Sequence, residues 1–397
     1  MAQALDGIQV LDFSRFIAGP SCTVMLAHMG AEVIRVEPPE GEDDRVIGPM
    51  SPQGNRIWFT GHANHKKAIT LDTKKPEGRE LLKRLVAKAD VLVHNFVPGT
   101  RPALMLHYDA LKEVNPRVVV AAVSGYGQTG PSAQLGGFDA VMQGLSGMMS
   151  FTGTPGTPPM RAGVAWVDYA AGYNMGLGIM FALFHRERSG VGQMVDVALL
   201  DAAVFPVISQ GMVTELRLLD VPRRQMGNEG WYAFANCYQA KDGWVVLTAG
   251  FDAQFYQLME AIGRPDLVND PRARTVDSRW KHHEEMHRIV ADWVGGGTVA
   301  EALAALQKHR VPADKVNKIE EMVEHAQVRH RQMLVEVPLG TGGEKATVAG
   351  SPIKMSLTPA TMGGGAPGLG EHNAEVYGGL LGMSAGEIAA LRAQGVV

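Results

Sequence analysis

The chain has 397 residues, with 37 Lys and Arg against 41 Asp and Glu for a net charge of −4. That length holds two or three domains without disulfide staples, and 46% hydrophobic with 20% charged residues is ordinary for a soluble globular protein. A net negative chain offers no general field for nucleic acid or an anionic membrane, so neither is expected as a partner.

Along the chain, Ile8–Phe13 reads as a strand, Cys22–Met29 as a short helix and Glu32–Val36 as a second strand. Apolar β-branched runs separated by a helix are the signal of a parallel sheet. The pattern returns in the Pro76–Lys88 helix and the Val91–Val93 and Arg117–Val123 strands. The first half is therefore expected to be a doubly wound, Rossmann-like α/β domain. Tyr169–Phe184 reads as a buried helix rich in small residues, and Gln193–Val197 as a strand. From about Pro222 the texture becomes aromatic and polar, and Lys241-Asp242-Gly243 predicts a hairpin. Helices are expected at Asp252–Ile262, Trp280–Trp293 and Thr298–Lys308, the last opened by a Thr298/Glu301 capping box. These elements define a smaller α+β domain over 225–325. The glycine-rich stretch Met362–Asn373 precedes a short terminal helix that Ser384 and Glu387 are spaced to cap.

Cys22 and Cys237 lie too far apart in sequence to suggest a disulfide framework or a thiolate metal site, which suits a reducing compartment. The apolar run Met175–Phe184 is too short to span a bilayer, and Met1–Asp12 lacks the features of a secretory signal. A cytoplasmic location is expected. His62/His65 and His282/His283 bring no converging third ligand, so they read as structural and no metal is expected. There is no GxSxG elbow or phosphate-binding GxxxxGK[ST] loop, and SRFIAGPSC stands where a dinucleotide fingerprint would be. Gly125-Tyr126-Gly127 and Gly363-Gly364-Gly365 read as turns, with close backbone approach to a ligand as the other use of such glycines. Asp168 stands where an extended stretch gives way to an apolar helix. An N-cap aspartate fits that position. So does a carboxylate kept ionised by the helix N-terminus and able to attack an activated carbonyl. The residues alone leave both open.

Longer segments add to this reading. They are LDGIQVLDFSRFIAGPSCTVMLAHMGAEVIRVEPPEGEDDR (Leu5–Arg45), HKKAITLDTKKPEGRELLKRLVAKADVLVHNFVPG (His65–Gly99), NPRVVVAAVSGYGQTGP (Asn115–Pro131) and GGFDAVMQGLSG (Gly136–Gly147). GVAWVDYAAG (Gly163–Gly172), SGVGQMVDVALLDA and GLGEHNAEV follow in order. In these segments the chain resembles the family III CoA-transferases, whose superfamily includes the 2-methylacyl-CoA racemases. The resemblance implies a large domain made of 1–224 and 326–397, a small domain of 225–325, and an interlocked homodimer. It also implies an acyl-CoA donor and a carboxylic acid acceptor, with coenzyme A entering as a substrate thioester and no tightly bound cofactor.

By the same resemblance Asp168 is the catalytic carboxylate and Asp139 helps to orient or protonate at the active site. The CoA positions fall on Phe16, Ile17, Ala18, Leu71, Lys74, Asn95 and Phe96. The chain departs from the family pattern at two basic positions. An arginine often found after NFxPG falls on Ala103, leaving Arg101 nearby, and Pro38 stands where some members carry an arginine, leaving Arg45 as a nearby candidate. The family's mobile glycine loop corresponds to Arg224–Gly230, which lacks the multiple glycines of some members. Phe138 stands where the racemases carry a histidine, which favours transfer over racemisation. A racemase and a non-catalytic CoA-binding homologue are the alternatives. Met148, Met149, Trp166 and Tyr169 are candidates for an acyl pocket or for core.

Overall fold

The computed structural model describes residues 3–100 and 105–397. Six short strands, β1 (Gln9–Asp12), β2 (Glu32–Glu37), β3 (Lys67–Thr70), β4 (Val91–His94), β5 (Val119–Ser124) and β6 (Met194–Ala198), form one sheet in the order β3-β2-β1-β4-β5-β6. All its pairings are parallel. This is the doubly wound order, and the direction of winding reverses between β1 and β4.

The sequence alternation decides which side chain meets which layer. Val10, Val33, Val91, Val119 and Ala121 pack on one face against helix α1 (Ala18–His28) and against Val167, Ala171, Met175 and Ile179 of a later helix. Leu11, Ile34, Leu92 and Val120 face the other way, onto Leu81, Leu82 and Leu85 of α2 (Pro76–Val86). Tyr377, Ile388, Val396 and Val397 complete that second face, so the last quarter of the chain closes the core begun by the first. The Tyr377 hydroxyl donates to the Thr70 carbonyl at 2.7 Å, and Asn373 Oδ1 accepts the Thr70 N–H at 2.9 Å.

Two more helices matter for the site: α3 (Asp139–Leu145) and α4 (Trp166–Ser189), the latter carrying Val167 through Ile179. The large unit comprises Met1–Met148, Arg161–Asp220 and Ala326–Val397. The second unit is Val221–His325 together with Met149–Met160. That twelve-residue excursion was read from sequence as part of the large domain. Its membership follows from hydrogen bonds to the main chain of the excursion: Gly227 N–H donates to the Gly153 carbonyl at 2.9 Å, and the Gln225 side chain donates through Nε2 to the Thr152 carbonyl at 3.0 Å.

Within the smaller unit, β7 (Ala235–Ala240), β8 (Gly243–Thr248) and β9 (Ala313–Lys315) form an antiparallel sheet. Its core is Tyr238, Val245, Leu247, Phe255, Met286, Val290 and Leu306, drawn from the sheet and from α5 (Asp252–Ala261), α6 (His283–Gly295) and α7 (Val299–Lys308). The single helix expected over Trp280–Trp293 is broken. One helix ends at Lys281, His282 leaves helical geometry with φ −115° and ψ 25°, and α6 begins at His283. Both expected capping boxes are present, at Thr298/Glu301 and at Ser384/Glu387 before α8 (Ala385–Ala393).

Candidate active site

A cleft of about 450 Å³ opens in the large unit where the carboxyl ends of the parallel strands release their loops. Phe13, Arg15, Phe16, Ile17 and Ala18 follow β1, and Leu71, Thr73 and Lys74 follow β3. Asn95 and Phe96 follow β4, and Ser124 and Gly125 stand at the end of β5. The reversal between β1 and β4 lies under its centre, the place where open α/β sheets leave a crevice for ligands. Asp168 and Leu199 line the same cleft.

The loop after β1 is held from below by buried charge. Asp12 accepts from the Ser14 N–H at 3.0 Å and pairs with Lys66 at 2.9 Å, with both side chains fully buried. Burial opposes its ionisation, but Lys66, Arg35 and the Ser14 and Thr23 hydroxyls together hold its carboxyl below the usual range. Arg35 bonds Asp44 at 2.7 Å, and Asp44 Oδ2 accepts the Phe16 N–H at 3.0 Å. Phe16 has a φ of 66°, a left-handed conformation costly for an aromatic residue, and these contacts fix it there. Asn95 completes the brace from the β4 side: its Oδ1 accepts the Arg15 N–H at 3.0 Å and its Nδ2 donates to the Arg15 carbonyl at 2.6 Å.

Asp168 is positioned by close packing of α1 against α4. A Cβ on Gly172 would lie 2.3 Å from Ser21 Oγ and 2.7 Å from the Ala18 carbonyl oxygen, so only glycine allows the approach. Asp168 lies one turn N-terminal on the same helical face, beside the start of α1. It is the third residue of α4 and not its N-cap; that position is Ala165, whose side chain makes no cap bond. The cap comes instead from another helix. Asp139 Oδ1, on α3, accepts the Val167 N–H at 2.8 Å, while Gln143 Nε2 donates to Asp139 Oδ2 at 2.6 Å.

Burial first, and the neighbouring charge of Asp139 second, push the Asp168 carboxyl up to about 7. The expectation that the helix N-terminus would keep it fully ionised is thereby corrected. Desolvation outweighs the helix field at this depth.

Of the positions expected to hold CoA, Phe16, Ile17, Ala18, Leu71, Lys74, Asn95 and Phe96 all line this one cleft. Arg45 does not. Its Nε and Nη2 clasp the buried Glu37 at 2.7 and 2.5 Å and its Nη1 donates to the Pro367 carbonyl at 3.1 Å, because Glu37 in the core requires cationic partners. Arg101 lies outside the described residues. Asp139 is buried behind the wall and bonded on both oxygens. Of the acyl-pocket candidates, Trp166 packs against the main core and the Tyr169 hydroxyl meets His62 Nε2 at 3.1 Å. That contact explains His62; His65 turns instead toward the His28 ring, so the two do not converge on a common ligand.

Sequence reasoning missed Arg15, whose guanidinium lies 5.4 Å from the Phe16 ring centroid and 5.5 Å from that of Phe96. Its place within SRF, a segment already singled out, was the available signal. Gly125, for which both a turn and close backbone approach to a ligand were open, faces Gly137, whose Cα would lie 2.7 Å from an added Cβ, and both glycines line the cleft. Phe138 also lines it, edge-on to Phe16 at 6.1 Å.

Residues 5–373 match the model of CoA-transferase family III. The succinyl-CoA–D-citramalate CoA-transferase of Chloroflexus aurantiacus is 35% identical over 99% of this chain and 98% of its own length. The succinate–glutarate CoA-transferase of Agrobacterium fabrum is 37% identical over 94% of each. Among solved structures, a CaiB/BaiF family protein from Brucella suis superposes with a TM-score of 0.83 at 31% identity, covering 96% of this chain and all of that one. With its sheet order, its strand-end cleft and similarity along nearly its whole length, the chain belongs to CoA-transferase family III.

Proposed function

We propose that this enzyme moves CoA from an acyl-CoA thioester to a free carboxylic acid with Asp168 as the covalent relay. The observation that carries the reading is that Asp168 shares a single cleft with the strand-end residues expected to hold CoA. An oxygen of ionised Asp168 attacks the thioester carbonyl, the C–S bond breaks, and a mixed anhydride and CoA thiolate result. The thiolate then attacks the aspartyl carbonyl of the anhydride, releasing the donor acid as its carboxylate and leaving an aspartyl-CoA thioester. The acceptor carboxylate repeats both steps in reverse, which restores Asp168 and yields the new acyl-CoA.

The apolar wall of Phe16, Ile17, Phe138 and Leu199 suits an anhydride that water would destroy. Lys74 is available to CoA phosphate at the cleft wall, and the aromatic faces of Phe16 and Phe96 to its adenine. Phe138 supplies no base for exchange at the α-carbon, which favours transfer over racemisation. The two named relatives act, by name, on succinyl-CoA with D-citramalate and on succinate with glutarate. Succinyl-CoA is accordingly the proposed donor and a short dicarboxylic acid the proposed acceptor. A homodimer belongs to the same proposal, supported by Tyr173, Leu177, Phe181 and Phe184, which form an exposed apolar stripe along α4.

The test is mass spectrometry of the Asp168 peptide after incubation with succinyl-CoA. A CoA thioester on that peptide, lost on addition of glutarate with formation of glutaryl-CoA, is the expected result. Stoichiometric CoA binding with neither adduct nor exchange would make the chain a binding homologue. Loss of α-deuterium from a 2-methylacyl-CoA without any acceptor would make it a racemase.

A further inference from the structure

We infer that Gln143 is a positioning residue for CoA transfer, acting with Asp139 as a two-point clamp on the chain segment that leads into Asp168. The inference rests on the reading of Asp168 as the nucleophile.

Asp139 and Gln143 stand one turn apart on α3, both buried, at 6% and 2% exposure. Their side chains form a continuous chain of hydrogen bonds. Ala162 N–H donates to Gln143 Oε1 at 2.9 Å, Gln143 Nε2 donates to Asp139 Oδ2 at 2.6 Å, and Val167 N–H donates to Asp139 Oδ1 at 2.8 Å. The amide orientation of Gln143 is therefore dictated at both ends: its oxygen must face Ala162 and its nitrogen must face the carboxylate. Leucine and methionine can do neither.

Ahead of the buried Val167 the clamped segment is exposed or half-buried. Ala162 is the second residue after the chain returns from Met149–Met160 to the large unit. Gly163 and Val164 are exposed, and Ala165 has no side chain with which to cap α4. Asp168 follows Val167 directly, so α3 holds the leading end of the turn whose inner face packs on the core and on α1. Attack on a thioester needs the reacting atoms near 3 Å and aligned, and a misplacement of about 1 Å costs on the order of 100-fold. Neither Gln143 nor Asp139 lines the cleft. A clamp of this kind acts on the chemical step and leaves thioester binding alone.

A second property distinguishes the clamp from mere packing. The charge that acts on Asp168 from α3 is Asp139, while Tyr169, the next residue on α4, directs its hydroxyl to His62. Asp139→Asn keeps an oxygen for Val167 and removes that charge. It should move the ascending limb of kcat/KM to lower pH.

The experiment compares wild type, Gln143→Leu, Gln143→Met and Asp139→Asn with succinyl-CoA and glutarate. Gln143→Leu should melt cooperatively, bind CoA as wild type does and lose about 10- to 100-fold in kcat. KM for succinyl-CoA should stay within about twofold. Gln143→Met has nearly the same volume and shape and neither accepts from Ala162 nor donates to Asp139, so it reports the same kcat loss where the leucine variant does not fold. Wild-type kcat in either folded variant overturns the inference, as does a loss carried equally by weakened CoA binding, or an Asp139→Asn limb that does not move. If the wild-type Asp168 peptide carries no CoA thioester, the reading of Asp168 fails and this inference with it. An intact wild-type adduct beside unimpaired Gln143 variants removes only the clamp.

Discussion

Asp168 answers to two opposing demands on one carboxyl group. As a nucleophile it must be ionised, yet burial and Asp139 hold it at about 7. Transfer measured as kcat/KM for succinyl-CoA should therefore climb about tenfold per pH unit below neutrality and level off above it. A pH profile flat between 5 and 8 would contradict the assignment. The same shift has a consequence for stability, and its sign is fixed. A carboxyl raised from 3.8 to about 7 favours the protonated fold, so its contribution is complete below 3.8 and lost as pH rises through 7. Asp168→Asn should abolish transfer yet raise stability at pH 8 by roughly 1–3 kcal/mol, with the gain vanishing near pH 4. Thermal melts at the two pH values check this. The position of Asp168 was legible from its motif. Its proton affinity was not, because that depends on depth and on Asp139, 29 residues away in sequence.

At the scale of elements, the join of α1 to α4 sets the geometry. The small residues of Tyr169–Phe184 signalled a close-packed helix from sequence, but not which partner it approaches. The structure gives Gly172 to Ser21 and the Ala18 carbonyl. Gly172→Val should force the helices apart, costing about 1–3 kcal/mol, and should lower kcat by displacing Asp168. Denaturant unfolding and turnover on one preparation test both, and a stable variant with unchanged kcat would refute the role given to this contact. The loop after β1 teaches a complementary lesson. Its motif was recognisable, but the left-handed Phe16 and the Asp12–Lys66 and Arg35–Asp44 pairs beneath it join residues that sequence spacing does not connect. Arg45 was assigned to a ligand for the same reason: nothing local reveals that a buried Glu37 already claims it.

The whole molecule is assembled from distant parts of the chain. Residues 326–397 rejoin the unit that the N-terminal half begins, and Tyr377, Val396 and Val397 fill its second core layer. On α4, Phe181 and Phe184 remain 64% and 65% exposed. If a second copy covers them, Phe181→Asp combined with Phe184→Asp should lower the yield of dimer that sediments and melts cooperatively, since interlocked chains form their contact as they fold, whereas a monomeric wild type would end the dimer proposal. The alternation of strands and helices, the parallel sheet, the two capping boxes and the line of motif residues were legible in the unfolded chain, since each follows from local periodicity, capping chemistry or contiguous pattern. That Met149–Met160 joins the smaller unit, that Asp139 caps a helix other than its own, that Arg45 clasps Glu37 and that burial raises the Asp168 carboxyl to about 7 emerges once the chain is folded. Those outcomes depend on which buried charges and unpaired backbone groups come within about 3 Å of one another, a quantity set by packing in three dimensions and absent from any stretch of sequence.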